Sequence, residues 1–162
     1  MLYSLTTKYC AIALTHLATQ PPAEDVQVRE IARATQIPAA FLARLVPTLV
    51  KAGLVRSRRG VGGGIRLARS PTEIALADVV RATEGERFFE NCLLTVDPCD
   101  GTQGCPLHSV WGPTRDRIVT FLETTTIADL ARKSRPQRGK EARARPARRG
   151  VAPKRQAHKE AR

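Results

Sequence analysis

Residues 29–55 read REIARATQIPAAFLARLVPTLVKAGLV, and residues 59–67 continue as RGVGGGIRL. Two helices separated by a short turn, then two short alternating segments around glycines, are the reading these stretches ask for. Asp25 or Gln27 opens the first helix, with Val28, Ile31 and Ala32 on one face. A turn follows at 35–37. Pro38 suits the first turn of the next helix, where its missing N–H costs nothing, and Gly53 ends that helix. Its expected buried face is Phe41, Leu42, Leu45, Leu49 and Val50. Pro47 interrupts the pattern, but the apolar spacing continues past it, so one bent helix is expected. Segments 54–58 and 65–67 flank Gly60, Gly62, Gly63 and Gly64 and read as a β-hairpin.

Outward from this centre, residues 5–19 place Leu5, Tyr9, Ile12, Ala13 and Leu17 at helical spacing, with Ser4 or Thr6 as cap. Cys10, among apolar neighbours, reads as a small buried hydrophobe. Residues 74–84 begin like a strand and run into a helix that Gly85 stops. Residues 107–124 form a long amphipathic helix carrying Leu107, Val110, Trp111, Ile118, Phe121 and Leu122, and 127–131 close the ordered part. The fold class is mainly α with a small β-hairpin wing: a winged helix-turn-helix followed by a long C-terminal helix. The expected division is 1–85 for DNA binding, 86–106 as a cysteine-rich loop, 107–131 as the long helix with its closing segment and 132–162 as a disordered basic tail.

Charge supports that division. Residues 132–162 carry 13 Lys and Arg against 2 Glu, while residues 1–131 carry 14 basic against 13 acidic side chains. The net +12 therefore belongs almost wholly to the tail, which lacks aromatic residues and cannot bury enough surface to offset ordering. No stretch approaches the roughly 20 apolar residues of a membrane span, and no cleavable leader is evident, so a cytoplasmic protein is expected.

In helix-turn-helix proteins the second helix enters the major groove. Here its polar side offers Ala39, Ala40, Ala43, Arg44, Thr48 and Lys51. Arg44 could grip guanine O6 and N7 with two hydrogen bonds, or could simply be a solvated charge. Lys51 suits a phosphate. At the hairpin, Arg56, Arg58 and Arg59 flank Gly62 and Gly63; glycines permit close approach, and a narrow minor groove attracts arginine. The Lys-Ser/Thr ending of a nucleotide phosphate loop is absent.

Three cysteines and a histidine lie within NCLLTVDPCDGTQGCPLH at 91–108, spaced C-x6-C-x5-C-x2-H: Cys92, Cys99, Cys105 and His108. Thiolates and an imidazole this close suit structural zinc or an iron–sulfur cluster, and spacing alone does not separate the two. Unrelated thiols are the bland alternative. Ser4, Ser57 and Ser70 lack a nucleophile-elbow context, and no paired carboxylates suggest acid–base catalysis, so no enzyme is expected.

These runs, with LTTKYCAIAL at 5–14, IALADVVRATEG at 74–85 and CPLHSVW at 105–111, resemble the small bacterial winged-helix regulators typified by IscR and NsrR. The resemblance covers about residues 2–131. It implies a homodimer joined through the long helix, a palindromic double-stranded DNA operator, and a wing arginine, matched by Arg59, that enters the minor groove. It implies an iron–sulfur cluster on Cys92, Cys99, Cys105 and His108, sensing cluster, redox or nitric-oxide status. A [4Fe–4S] form with an acidic fourth ligand near the N-terminus is disfavoured, because Lys8 stands there and the first acidic residue is Glu24; [2Fe–2S] is favoured. The chain departs from the IscR-like pattern in having six residues, not five, between the first two cysteines, and Pro38, Ala39 and Ala40 where polar residues usually open the reading helix. A winged-helix regulator with structural zinc or a thiol switch is the alternative.

Overall fold

The structure, a computed structural model, describes residues 3–60, 62–90 and 106–134. Six helices and one hairpin follow in order: α1 (Leu5–Leu17), α2 (Val28–Thr35), α3 (Ala39–Lys51), β1 (Val55–Arg58), β2 (Gly64–Leu67), α4 (Leu76–Glu84), a 3-10 turn (Glu86–Phe89), α5 (His108–Thr124) and α6 (Ile127–Ser134). The architecture is the expected one, mainly helical with a two-stranded antiparallel wing. No helix among the described residues is long and apolar enough to cross a membrane.

Local signals explain the boundaries. The Ser4 hydroxyl accepts from the Thr7 N–H and caps α1. The Glu30 carboxylate accepts from the Gln27 N–H at the start of α2. Gln36 turns the chain with a left-handed backbone (φ 58°) between α2 and α3. Pro38 stands at the cap position of α3 rather than inside it. Pro47 lies within a continuous α3; it and Ala43, whose carbonyl loses its donor, are both exposed, so water can satisfy that oxygen.

One main core joins α1, α2, α3, the wing, α6 and, through Val79, α4. Leu14, Ile31, Leu42, Leu49, Leu54, Ile65, Ile74 and Ile127 are essentially inaccessible. Burying each such side chain is worth about 1.5–3 kcal/mol. Two expected faces are corrected. In α3, Val50 is exposed, Leu42, Leu45 and Leu49 are buried, and Phe41 and Val46, both half-buried, pack against the core on either side of that stripe. In α1 the buried residues are Thr7, Cys10, Ala13, Leu14 and Leu17, and Leu5 faces out. Cys10 is the small buried hydrophobe expected of it, and burial pushes its thiol up to about 11.

Residues 74–75 do start strand-like: Ala75 forms an isolated bridge with Thr126, and the Leu76 N–H donates to Thr125. A second, smaller cluster lies between α4 and α5, where Ala77, Val80 and Leu122 are buried and Ile118, Phe88 and Phe89 lean on them. Helix α6 runs to Ser134, past the expected limit at 131; Ile127 returns to the main core, Leu130 packs on it, and Ala131 is also buried.

Thr7 is the buried polar side chain of α1. It bonds to Thr83 and to Glu84 at the end of α4, and the Ser4 N–H also donates to Glu84. Partial burial would raise the Glu84 pKa, but the hydrogen bonds from Ser4 and Thr7 outweigh it and hold the carboxyl below its ordinary range.

Candidate nucleic-acid interface

The solvent side of α3 presents Ala39, Ala40, Ala43, Arg44 and Lys51, all exposed, with Thr48 half-buried. Arg44 is not loose. Its guanidinium carbon lies 5.5 Å from the centre of the Phe41 ring, and that ring meets Tyr9 of α1 edge-on at 5.5 Å. Half-burial of Phe41 thus has a use: the ring supports a cation on the outer face of α3.

The wing is a four-pair ladder: Val55 opposite Leu67, Arg56 opposite Arg66, Ser57 opposite Ile65, Arg58 opposite Gly64. Period-two alternation sends Val55 and Ile65 inward and the arginines outward. Two arginines directly opposite repel. Arg66 is drawn aside to Asp25 (Nη1 to Oδ1, 3.3 Å), and Arg58 reaches the other oxygen of the same carboxylate (Nε to Oδ2, 3.2 Å). Arg58 also donates to the Gly62 carbonyl at 2.9 Å. The Asp25 side chain is only 7% exposed, so this carboxylate braces the wing stem against the α1–α2 connection. The backbone repeats the brace, since Val26 and Ile65 exchange hydrogen bonds of 3.0 and 2.9 Å.

Glycine at 63 and 64 is needed for packing within the protein. A Cβ at Gly63 would stand 2.3 Å from the Arg58 carbonyl oxygen, and one at Gly64 would stand 2.5 Å from that of Val26. Gly62 has φ 70° and lies exposed at the tip. Arg56 and Arg59 are exposed and make no ion pair among the described residues. A cleft of about 460 Å³ separates the wing from the start of α2, lined in part by Gln27, Arg29, Arg58, Gly62 and Gly63. In helix-turn-helix proteins the first helix crosses the sugar–phosphate backbone. Arg29, exposed on α2 and facing this cleft, is a phosphate candidate that reading the sequence missed, as is the brace at Asp25.

Cys92, Cys99 and Cys105 lie outside the described residues, as does the basic tail beyond 134. Among the described residues no group of three or more His, Cys, Asp or Glu could hold a metal. His108 is half-buried and is the first residue of α5. Its ring lies over Gly112, one turn on: a Cβ there would stand 3.6 Å from Cε1 and Nε2. A bare glycine thus leaves the imidazole room against the helix, three positions after Cys105. The donor set of three thiolates and this imidazole fits a soft metal or an iron–sulfur cluster.

Known proteins share this arrangement. Over 132 residues the chain is 36% identical to a putative HTH-type transcriptional regulator of Aquifex aeolicus, covering 80% of this chain and 91% of that protein. It is 33% identical over 128 residues to the HTH-type transcriptional regulator IscR of Vibrio atlanticus, covering 78% and 73% respectively. Among solved structures, CymR, the global cysteine regulator of B. subtilis, superposes with a TM-score of 0.70 at 27% identity over 82% of this chain and 97% of that one. IscR of T. potens gives 0.66 at 27% identity over 86% and 92%. These relatives are regulators, not enzymes. The profile described as Rrf2, iron-dependent transcriptional regulator, matches residues 3–133, and the chain therefore belongs to the Rrf2 family of DNA-binding transcriptional regulators.

Proposed function

We propose that this regulator binds a palindromic operator as a homodimer and adjusts that binding to the state of an iron–sulfur cluster held by Cys92, Cys99, Cys105 and His108, [2Fe–2S] in preference to [4Fe–4S]. The observation that carries the DNA half of the reading is the exposed face of α3, with Arg44 seated on Phe41. Arg44 reads base edges, with Ala40 and Ala43 beside it. Lys51 and Arg29 meet phosphates, and Arg56 and Arg59 accompany the wing into the groove. Arg58 is divided between this role and its bond to Asp25.

Dimerisation is supported by α5. Val110 is 69% and Phe121 54% exposed, and they are three helical turns apart on one face. An apolar groove of about 650 Å³, lined by Ala11, Ile12, Leu76, Val79 and Leu122 among others, lies beside it. A two-fold dimer buries such surfaces reciprocally.

Three thiolates and one imidazole are the ligand set, and the half-buried His108 beside Gly112 supports its part in it. When bound, a cluster supplies a group whose redox state and integrity vary with conditions. Residues 86–106 join the DNA-binding part to α5, so their order bears on how the two reading heads are spaced. A coupling of about 1–3 kcal/mol changes operator affinity roughly 5- to 150-fold. Residues 132–162, with 13 basic side chains, add affinity without sequence preference.

Anaerobic purification followed by absorption spectroscopy and iron and sulfide analysis tests the cluster. A coloured protein whose operator affinity changes on cluster loss is expected. A colourless protein with stoichiometric zinc favours the alternative, a winged-helix regulator with a structural metal, in which metal removal unfolds the loop without grading DNA affinity.

A further inference from the structure

Arg81 ties together three elements of the second cluster, near the point where the backbone bridge between Ala75 and Thr126 joins the start of α4 to the chain after α5. It projects from α4. Its Nε lies 3.2 Å from Glu86 of the 3-10 turn, its Nη2 3.3 Å from Glu123 of α5, and its Nη1 3.7 Å from Asp78 on its own helix. Its guanidinium carbon sits 5.0 Å from the centre of the Phe89 ring. Asp78 carries the connection onward. Its other oxygen takes Arg69 at 3.2 Å, two residues past the end of β2, and also accepts from the Ala75 N–H at the start of α4. An unbroken line of charged contacts thus runs from the wing stem through α4 to the turn before the cysteine segment and to α5.

Such a line is poor glue. Each of these pairs is solvent-accessible, and exposed ion pairs add little stability. Direction is a different matter. Among the described residues the apolar cluster between α4 and α5 has Ala77, Val80 and Leu122 fully inside, and apolar contact presses without fixing an angle. A planar guanidinium with its donors in a rigid fork does fix one. Helix α5 has 17 residues and is about 25 Å long. A tilt of about 5° at one end moves the other by about 2 Å, a large part of the 3.4 Å rise of one base pair.

We propose that Arg81 is a positioning residue for operator spacing: its contacts with Glu86, Phe89 and Glu123 set the angle between the DNA-reading part and α5, and so the separation of the two recognition helices. The inference rests on the dimer and palindrome of the proposed function. The same joint holds the turn that leads into the cysteine segment, so it is where a change in that segment reaches the reading head.

The test uses the full-length protein as isolated anaerobically, in the same state for every variant. A palindrome is selected by the wild type from random duplexes. Variants of it with the half-sites moved apart or together one base pair at a time, and a duplex with a single half-site, are then titrated with wild type, Arg81→Gln, Glu123→Gln and the double variant. Arg81→Gln should bind the single half-site within about twofold of wild type, lose about fivefold at the best spacing, and show a broadened optimum. Glu123→Gln should move the same way by less, and the double variant should be no worse than Arg81→Gln, because both remove one contact. An unchanged spacing profile overturns the proposal, and so does an equal loss on half-site and palindrome. If Arg81→Gln does not fold, Glu123→Gln decides alone: a narrow, wild-type optimum overturns the proposal. A wild type that selects no palindrome removes the dimer reading, and this proposal with it. A palindrome-selecting wild type with an indifferent Arg81→Gln removes the proposal alone.

Discussion

Two charge clusters hold this protein's outlying parts, and they are built in opposite senses. At the wing, one carboxylate, Asp25, is gripped by two guanidiniums, Arg58 and Arg66. At the base of α5, one guanidinium, Arg81, is gripped by Asp78, Glu86 and Glu123. The hub at the wing is almost buried and is seconded by a backbone bridge and the main core, through Val26 and Ile65. The hub at α5 is about one-third exposed and stands, among the described residues, over three buried side chains, with the Ala75–Thr126 bridge lying past the end of the helix. The wing brace adds to packing that already fixes the position; the α5 hub supplies orientation where packing is thin. A regulator needs both kinds of joint, one that keeps its clamp still and one that can be biased.

The largest test of that contrast is in the cores. Leu49→Ala in the main core should cost about 2–5 kcal/mol in urea unfolding, while Ile118→Ala in the second cluster should cost less than half as much. Equal costs would erase the distinction between the two regions. On the reading side, Arg44→Ala should lose about 1–3 kcal/mol on the selected operator and relax one base position, whereas Lys51→Ala should weaken all sequences alike and reduce the salt slope by about 1. A uniform loss from Arg44→Ala would return that side chain to a mere surface charge. Next, Asp25→Asn should destabilise the fold by about 1–2 kcal/mol, since it unpairs two partly exposed arginines, while Glu123→Gln stays within about 0.5 kcal/mol. Reversal of that order would mean that the α5 hub, not the wing brace, is the structural one.

The smallest effect concerns Cys10, whose pKa is raised from 9.0 to about 11 by burial. Above pH 9 the unfolded thiol ionises while the folded one keeps its proton, so the unfolded state binds fewer protons and stability falls as pH rises toward 11. Below that window the contribution is constant. Cys10→Ser should flatten the high-pH limb of the stability profile. At neutral pH a thiol reagent should label Cys10 only as fast as the main core opens; faster labelling would show that the main core is looser than its burial implies.

Much of the fold was legible because its signals are local. The wing is announced by alternation around glycines, α1 by Ser4 and apolar spacing, and the buried role of Cys10 by its neighbours. Val50 was misassigned because the apolar run after Pro47 is wider than the face the core accepts, and Val46 takes the place. Neither hub was legible. Asp25 meets Arg66 across 41 residues and Arg81 meets Glu123 across 42, and no periodicity links residues so far apart. For the candidate interface, the sequence pointed to Arg44, Arg56 and Arg59 by charge and motif, but could not reveal that Arg58 is shared with Asp25. Arg29 escaped notice because one arginine opening a short helix carries no pattern; only its place beside the wing cleft marks it.

The crowding at Gly63 and Gly64 bears on how such a protein can acquire new targets. Substitution there collides with its own backbone before any DNA is met, so the turn of the wing is closed to variation by folding alone. At the front of α3 the situation is reversed. Ala39, Ala40 and Ala43 are exposed stubs, open to replacement by longer side chains. In the DNA-binding mode proposed above, drift toward a different operator has an open route through those three alanines and a blocked one through Gly63 and Gly64. Lineages that carry this scaffold should diversify at the reading helix while their clamps stay alike.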